Sequence, residues 1–147
     1  MAKTTKSFFS RETAVEIDIR AQPEDVWSIL VNAADYPKWS STITSLEGRI
    51  ALGEKIALKS ILDEKRTFKL KVLELEAPIH GNGRMVWGDA MGKRTYELAK
   101  KDASTVTFSM RERIGGPLFP LFAGMIPPFD DVFDKFAADL KKKAEAP

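Results

Sequence analysis

The chain has no cysteine and a single histidine among its 147 residues. The first absence removes disulfides, thiolate metal ligands and cysteine nucleophiles together. The second leaves little for imidazole chemistry: His80 stands between Pro78-Ile79 and Gly81, in a turn, with no placed partner for a triad or a metal site. No HExxH or similar ligand spacing occurs, and no glycine-rich phosphate loop follows a strand, so neither a metal nor a cofactor is expected. No apolar run approaches the roughly 18 residues of a membrane span. The opening MAKTTKSFFSRE lacks the apolar stretch of a secretion signal, so the expectation is a cytoplasmic protein with no integral membrane segment. Charge of one sign is scarce too, the net being +2. Its one basic concentration, Lys141-Lys142-Lys143, reads as the solvated end of a helix and not as a nucleic-acid patch. With no repeat, low-complexity tract or linker, residues 1–147 read as one domain, able to bury about 70% of its unfolded surface.

What is present is most informative toward the carboxyl end. From Gly115 to Pro128 the chain is almost wholly apolar, yet broken by Pro117, Pro120, Gly124, Pro127 and Pro128, so it cannot form one rigid helix. After it, Phe129, Val132, Phe133, Phe136, Ala137 and Leu140 recur at the spacing of a single helical face. Asp130, Asp131 and Asp134 open this helix and the three lysines close it, the charge order that the helix dipole favours. Such a helix spans about 22 Å and an eight-residue strand roughly 27 Å, so one helix can cross a whole sheet.

The upstream chain supplies that sheet. In TAVEIDIR, residues 13–20, Val15, Ile17 and Ile19 alternate with Glu16, Asp18 and Arg20, a half-buried strand. Pro23 then opens a short helix with Glu24 and Asp25 in its first turn and Val26, Trp27, Ile29 and Leu30 on its apolar side. Pro37 disfavours helix at Tyr36, which separates off a second short helical turn; Trp27 and Tyr36 are assigned to the core. Strands are expected near 42–50, 54–62, 67–76, 82–88, 93–100 and 104–114, punctuated by turn residues. Within 67–76 the apolar phase slips, because Leu73 and Leu75 continue where Val72 leaves off, and a β-bulge near Val72 accounts for it. The order predicts an α+β protein: a curved seven-stranded antiparallel sheet wrapped around the long C-terminal helix, with two short helices after the first strand.

This pattern resembles the START-like helix-grip superfamily (SRPBCC), in particular its polyketide cyclase/dehydrase and lipid-transport branch. The matching residues are Pro23-Glu24-Asp25-Val26-Trp27, Tyr36-Pro37-Lys38-Trp39, Gly115-Gly116-Pro117-Leu118, Pro120-Leu121-Phe122, and Leu140-Lys141 with Ala144-Glu145. The similarity spans nearly the whole chain. It implies a helix-grip fold with an internal cavity; it does not imply a reaction.

Residues on the inward strand phase are the candidates for lining such a cavity: Trp39, Ile56, Leu58, Phe68, Leu70, Met85, Trp87, Tyr96, Phe108 and Met110. Phe122, Met125, Phe129 and Phe133 would close it from the helix side. The same alternation is satisfied if these side chains simply meet in a dry core. Polar residues on that phase discriminate better, since an unpaired buried polar group is costly. Ser60, Arg94 and Glu112 are the ones present. With a turn at Lys101-Asp102-Ala103, Tyr96 would oppose Phe108 and Arg94 would oppose Met110, leaving Glu112 diagonal to Arg94. Such a pair is either a half-solvated ion pair or a polar anchor at one end of an apolar cavity. Most carboxylates, among them Glu16, Asp18, Glu74 and Glu76, fall on outward phases; Asp89 and Glu112 remain as groups for proton transfer.

The expected function is binding of a hydrophobic small molecule (a lipid, an aromatic or a polyketide-like compound) between the sheet and the C-terminal helix. One alternative is a cyclase or dehydratase using Arg94, Glu112 or Asp89 in the same place. The other is a docking module for a protein or membrane, in which residues 117–126 present Leu118, Phe119, Leu121, Phe122 and Ile126 as an apolar patch; weak self-association is expected of such a patch.

Overall fold

The computed structural model describes residues 1–147. Two strands open the chain, β1 (Lys3–Lys6) and β2 (Ser10–Ile19), followed by α1 (Pro23–Leu30), a 3-10 turn (Ala33–Asp35) and α2 (Tyr36–Trp39). Six strands come next: β3 (Ile43–Glu47), β4 (Lys55–Ser60), β5 (Asp63–Glu76), β6 (Asn82–Gly88), β7 (Gly92–Lys100) and β8 (Val106–Gly115). Short α3 (Phe119–Phe122), a 3-10 turn (Ala123–Met125) and α4 (Asp130–Glu145) complete the chain.

All strands join one antiparallel sheet of eight, ordered β1-β2-β8-β7-β6-β5-β4-β3. The expectation of seven is corrected by β1. This edge strand has no apolar alternation to betray it, because its backbone ladder and polar contacts hold it in place of burial. Its Thr4 hydroxyl donates to Asp130 and lies 2.9 Å from the Thr13 hydroxyl, and the Ala2 amide donates to Asp134 at 2.6 Å.

The inward phase of β2 buries Arg11, Thr13, Val15 and Ile19, and α4 packs across that strand with Phe133, Phe136, Ala137 and Leu140 buried. Asp130 and Asp131 occupy its first turn and Lys142 and Lys143 its last, as the dipole favours. Tyr36 takes helical angles despite Pro37 behind it. Its ring is fully buried and its hydroxyl donates to the Leu30 carbonyl at 2.5 Å, so packing overrides the local preference. The expected bulge lies on β5: the pairing with β6 shifts between Val72 and Glu74, so that Leu75 turns to the core and Leu73 faces out, 38% exposed. No helix is long and apolar enough to cross a membrane.

One register is corrected. On β7 and β8, Arg94 pairs directly with Glu112, Tyr96 with Met110 and Leu98 with Phe108. The hairpin loop runs from Lys101 to Thr105, closed by Lys101 and Asp102 amides donating to the Thr105 carbonyl. It is two residues longer than a Lys101–Ala103 turn. A shift of two preserves the face of every side chain and exchanges only the partners.

Candidate functional site

The inner face of the sheet divides into two parts. Under the middle of α4, Tyr36, Trp39, Trp87, Tyr96, Phe108 and Phe136 meet ring to ring, with centroids 4.9 to 6.4 Å apart. Beside α4, under the chain from Phe122 to Phe129, a cavity of about 460 Å³ remains, within the roughly 300–1,000 Å³ of small-molecule sites. Strand ends supply one wall: Leu58 and Ser60 from β4, Phe68 and Leu70 from β5, Trp87 from β6, Arg94 from β7, and Glu112 and Ile114 from β8. Phe122, Met125, Ile126, Pro127 and Phe129 form the other.

Of the residues expected to line a cavity, Leu58, Phe68, Leu70, Trp87, Phe122, Met125 and Phe129 do so. Trp39, Ile56, Met85, Tyr96, Phe108, Met110 and Phe133 lie outside its walls, in or against the closed core. Alternation assigns a side chain to a face of the sheet; how far α4 reaches over that face decides whether the side chain meets another or a void. The sequence 117–126 is also divided. Leu118 and Leu121 are 64% and 80% exposed, whereas Phe119 is buried at 4% and stands edge-on to Phe122.

The polar end of the cavity is a single row across the sheet. Trp87, Arg94, Glu112 and Thr13 are successive cross-strand partners on β6, β7, β8 and β2. Arg94 Nε donates to Glu112 Oε1 at 3.0 Å, with side-chain exposures of 11% and 17%. The guanidinium also lies 5.2 Å from the Phe133 ring centroid. Burial is the strongest influence and opposes its charge, but the Glu112 carboxylate and the Tyr96 oxygen together outweigh burial and hold the Arg94 proton more firmly than usual. Burial pushes the Tyr96 phenol up to about 12, although the charge of Arg94 acts the other way. That hydroxyl lies within reach of the Arg94 guanidinium, whose charge and N–H groups both favour the phenolate, but the pair does not reach good hydrogen-bond geometry. Trp87 Nε1 is likewise shielded from water and unpartnered.

Asp89 reaches the cavity rim but is engaged in its own loop, where Oδ1 accepts the amides of Met91 and Gly92 at 2.8 and 2.9 Å. His80 is exposed in its turn, away from the cavity. No group of three or more histidine, cysteine or acidic side chains is placed to hold a metal ion.

Sequence reasoning missed Arg11. It is 8% exposed, donates to the carbonyls of Ile126 and Pro127 at 3.1 and 2.8 Å, and stacks its guanidinium 4.7 Å from the Phe129 centroid. Phe129 and Phe133 are themselves stacked, with planes 8° apart, so the start of α4 seats both arginines on its rings. Burial lowers the Arg11 proton affinity, and Glu112 and Asp130 oppose that effect. Arg11 shares the inward phase of Val15 and Ile19; extending strand 13–20 backward by one more period would have found it.

The fold recurs widely among solved structures. A hypothetical protein from Helicobacter pylori superposes with a TM-score of 0.73 at 10% identity, covering 90% of this chain and 86% of its own. A START superfamily protein from Mycobacterium smegmatis gives 0.64 at 13% identity, covering 91% and 97%. Norcoclaurine synthase from Thalictrum flavum, solved as a point mutant with a transition-state analogue, gives 0.67 at 13% identity, covering 98% and 97%. At these identities the likeness is one of fold. No protein of curated function matches the chain by sequence. Residues 10–145 match the family described as polyketide cyclase / dehydrase and lipid transport, and with that span inside a START-like fold the chain belongs to this family.

Proposed function

We propose that the protein binds a hydrophobic small molecule (a lipid, an aromatic or a polyketide-like compound) in the cavity between the sheet and residues 122–129. The observation that carries this reading is a void of about 460 Å³ beside a core that is otherwise closed by aromatic contact. The apolar part of the cavity wall stands against water when the cleft is unfilled, and an apolar ligand removes that surface from water. Burying about 300 Å² of apolar ligand surface is worth roughly 7 kcal/mol gross, from which association and ordering subtract several. Micromolar affinity follows without a specific polar contact. The test is mass spectrometry of compounds released from natively purified protein, joined to titration with a neutral solvatochromic dye. One dye per chain, displaced by the released compound, is the expected result; no stoichiometric binding of dye or compound would sink the reading.

A second reading, an enzyme of the cyclase or dehydratase type, is favoured by Glu112 lying beside Arg94 on the cavity wall. There Glu112 would take a proton and Arg94 would face the oxyanion that develops. Loss of turnover in Glu112→Gln with ligand affinity retained would support it, and the absence of any conversion of the released compound by the wild type would remove it.

A further inference from the structure

The donors and acceptors at the polar end of the cavity do not balance. A guanidinium carries five N–H donors, and the one hydrogen bond Arg94 makes with good geometry is from Nε to Glu112. Its terminal nitrogens make no hydrogen bond of good geometry within the protein, the Tyr96 hydroxyl being the one acceptor close by, although the side chain is only 11% exposed and forms part of the cavity wall. Directly across from it, Trp87 contributes an indole N–H that is buried and unpartnered, and two residues along β7 the Tyr96 hydroxyl is in the same condition. The nearby charges balance, two against two: Arg11 and Arg94 both act on the Glu112 carboxylate, and Asp130, the other acid near Arg11, also accepts from the Thr4 hydroxyl. At the rim, Arg66, Asp63 and Asp89 also line the cavity; Arg66 lies over the Phe68 ring, and Asp89 is held in its own turn.

We propose that the ligand of this cavity is an amphiphile with a carboxylate head, seated on the terminal nitrogens of Arg94, its apolar part running along Leu58, Phe68 and Ile114 toward Met125. The inference rests on the apolar-ligand reading above and adds the head group. A wholly apolar ligand would leave the guanidinium donors buried and unpaired, which is costly for each of them. A carboxylate accepts two parallel N–H bonds from one guanidinium edge. Glu112 occupies the Nε side, so the terminal edge stays free for it, and the charge of Arg11 offsets the repulsion that Glu112 exerts on a second anion. Arg94 thus selects the class of ligand, while the apolar walls set most of the affinity.

The test compares dodecanoic acid with dodecanol, which share a tail and differ in the head, by calorimetry at neutral pH. The wild type should bind the acid at least about ten-fold more tightly than the alcohol, the worth of one charged hydrogen bond. Arg94→Met should abolish that preference and leave the alcohol affinity unchanged. Because Arg94→Met strands a half-buried carboxylate, the double variant Arg94→Met, Glu112→Gln keeps the comparison available in a folded protein. Lowering the pH through the ordinary carboxyl range, roughly 4 to 5, should erase the wild-type preference as the acid is protonated. Equal binding of acid and alcohol by the wild type, or a preference that survives in the variants, overturns the carboxylate head and leaves the cavity reading standing. If neither compound binds while the neutral dye does, the carboxylate amphiphile falls and the cavity reading stands; if the dye also fails, both fall.

Discussion

Beneath the middle of α4 the inner face of the sheet is closed: Phe136 touches Tyr36, Trp39, Tyr96 and Phe108 at once, and each of those rings but Trp39 is almost wholly buried. Beneath Phe122–Phe129 the same face is open, and Phe68, Leu70 and Ile114 stand against a void. The strands do not differ between the two regions; what covers them does. Helix α4 lays a continuous ridge of Phe133, Phe136, Ala137 and Leu140 into the sheet, as a regular helix can. The chain before it is cut by Pro117, Pro120, Pro127 and Pro128 into one short helical segment and a 3-10 turn, and these short pieces present no comparable ridge. Arg11 then fixes the end of this cover by binding two carbonyls that the proline run leaves without helical partners.

The contrast can be broken most forcefully at Phe136. Phe136→Ala should cost about 3–5 kcal/mol of unfolding free energy, read from the urea midpoint, and should leave the affinity of a neutral dye within two-fold, on the order of 0.4 kcal/mol. A small loss of stability there would mean that the closed region is loosely packed after all.

Alkaline titration probes the same region through its phenols. The unfolded chain releases tyrosine protons near 10, whereas Tyr96 holds its own up to about 12 and Tyr36 well above its ordinary value. A folded-state pKa raised in this way gives stability that is complete below about 10 and is lost as the pH climbs through about 12. Tyr96→Phe should therefore lose less stability than wild type between about pH 9 and 11.5, by up to roughly 2 kcal/mol. Identical pH slopes for the two proteins would show that Tyr96 ionises freely in the folded state.

Arg11→Met sharpens the boundary between the regions. Two carbonyls lose their donor and Phe129 loses its stacked cation, so stability should fall by about 1–3 kcal/mol. Release of a bound dye, followed by stopped flow, should accelerate. Faster release without Arg11 assigns the cover to a gate, and unchanged release assigns Arg11 to the fold alone.

The smallest effect belongs to the open region itself. Phe122→Ala removes a ring that borders a void and is packed on one side by Phe119, so it should cost about 1 kcal/mol or less while changing dye affinity. Destabilisation equal to that of Phe136→Ala, with binding unchanged, would erase the distinction between the two regions.

Sequence alone determined the elements and their faces. Period-2 alternation placed Val15, Ile19, Tyr96 and Phe108 inward, the phase slip at Leu73 located the bulge, and the spacing of Phe133, Phe136 and Leu140 defined the helix that crosses the sheet. These are local signals, carried by neighbours in the chain. Strand β1 left no such signal, being an edge strand held by its ladder and by Asp130 and Asp134. The pairing of Arg94 with Glu112 depended on a loop two residues longer than its turn residues suggested. Only the tertiary structure decided which inward residues meet a ring and which meet a void, because that depends on where α4 ends over the sheet and on how Arg11 pins the segment before it. Alternation fixes the direction in which a side chain points, and direction carries no information about what stands opposite.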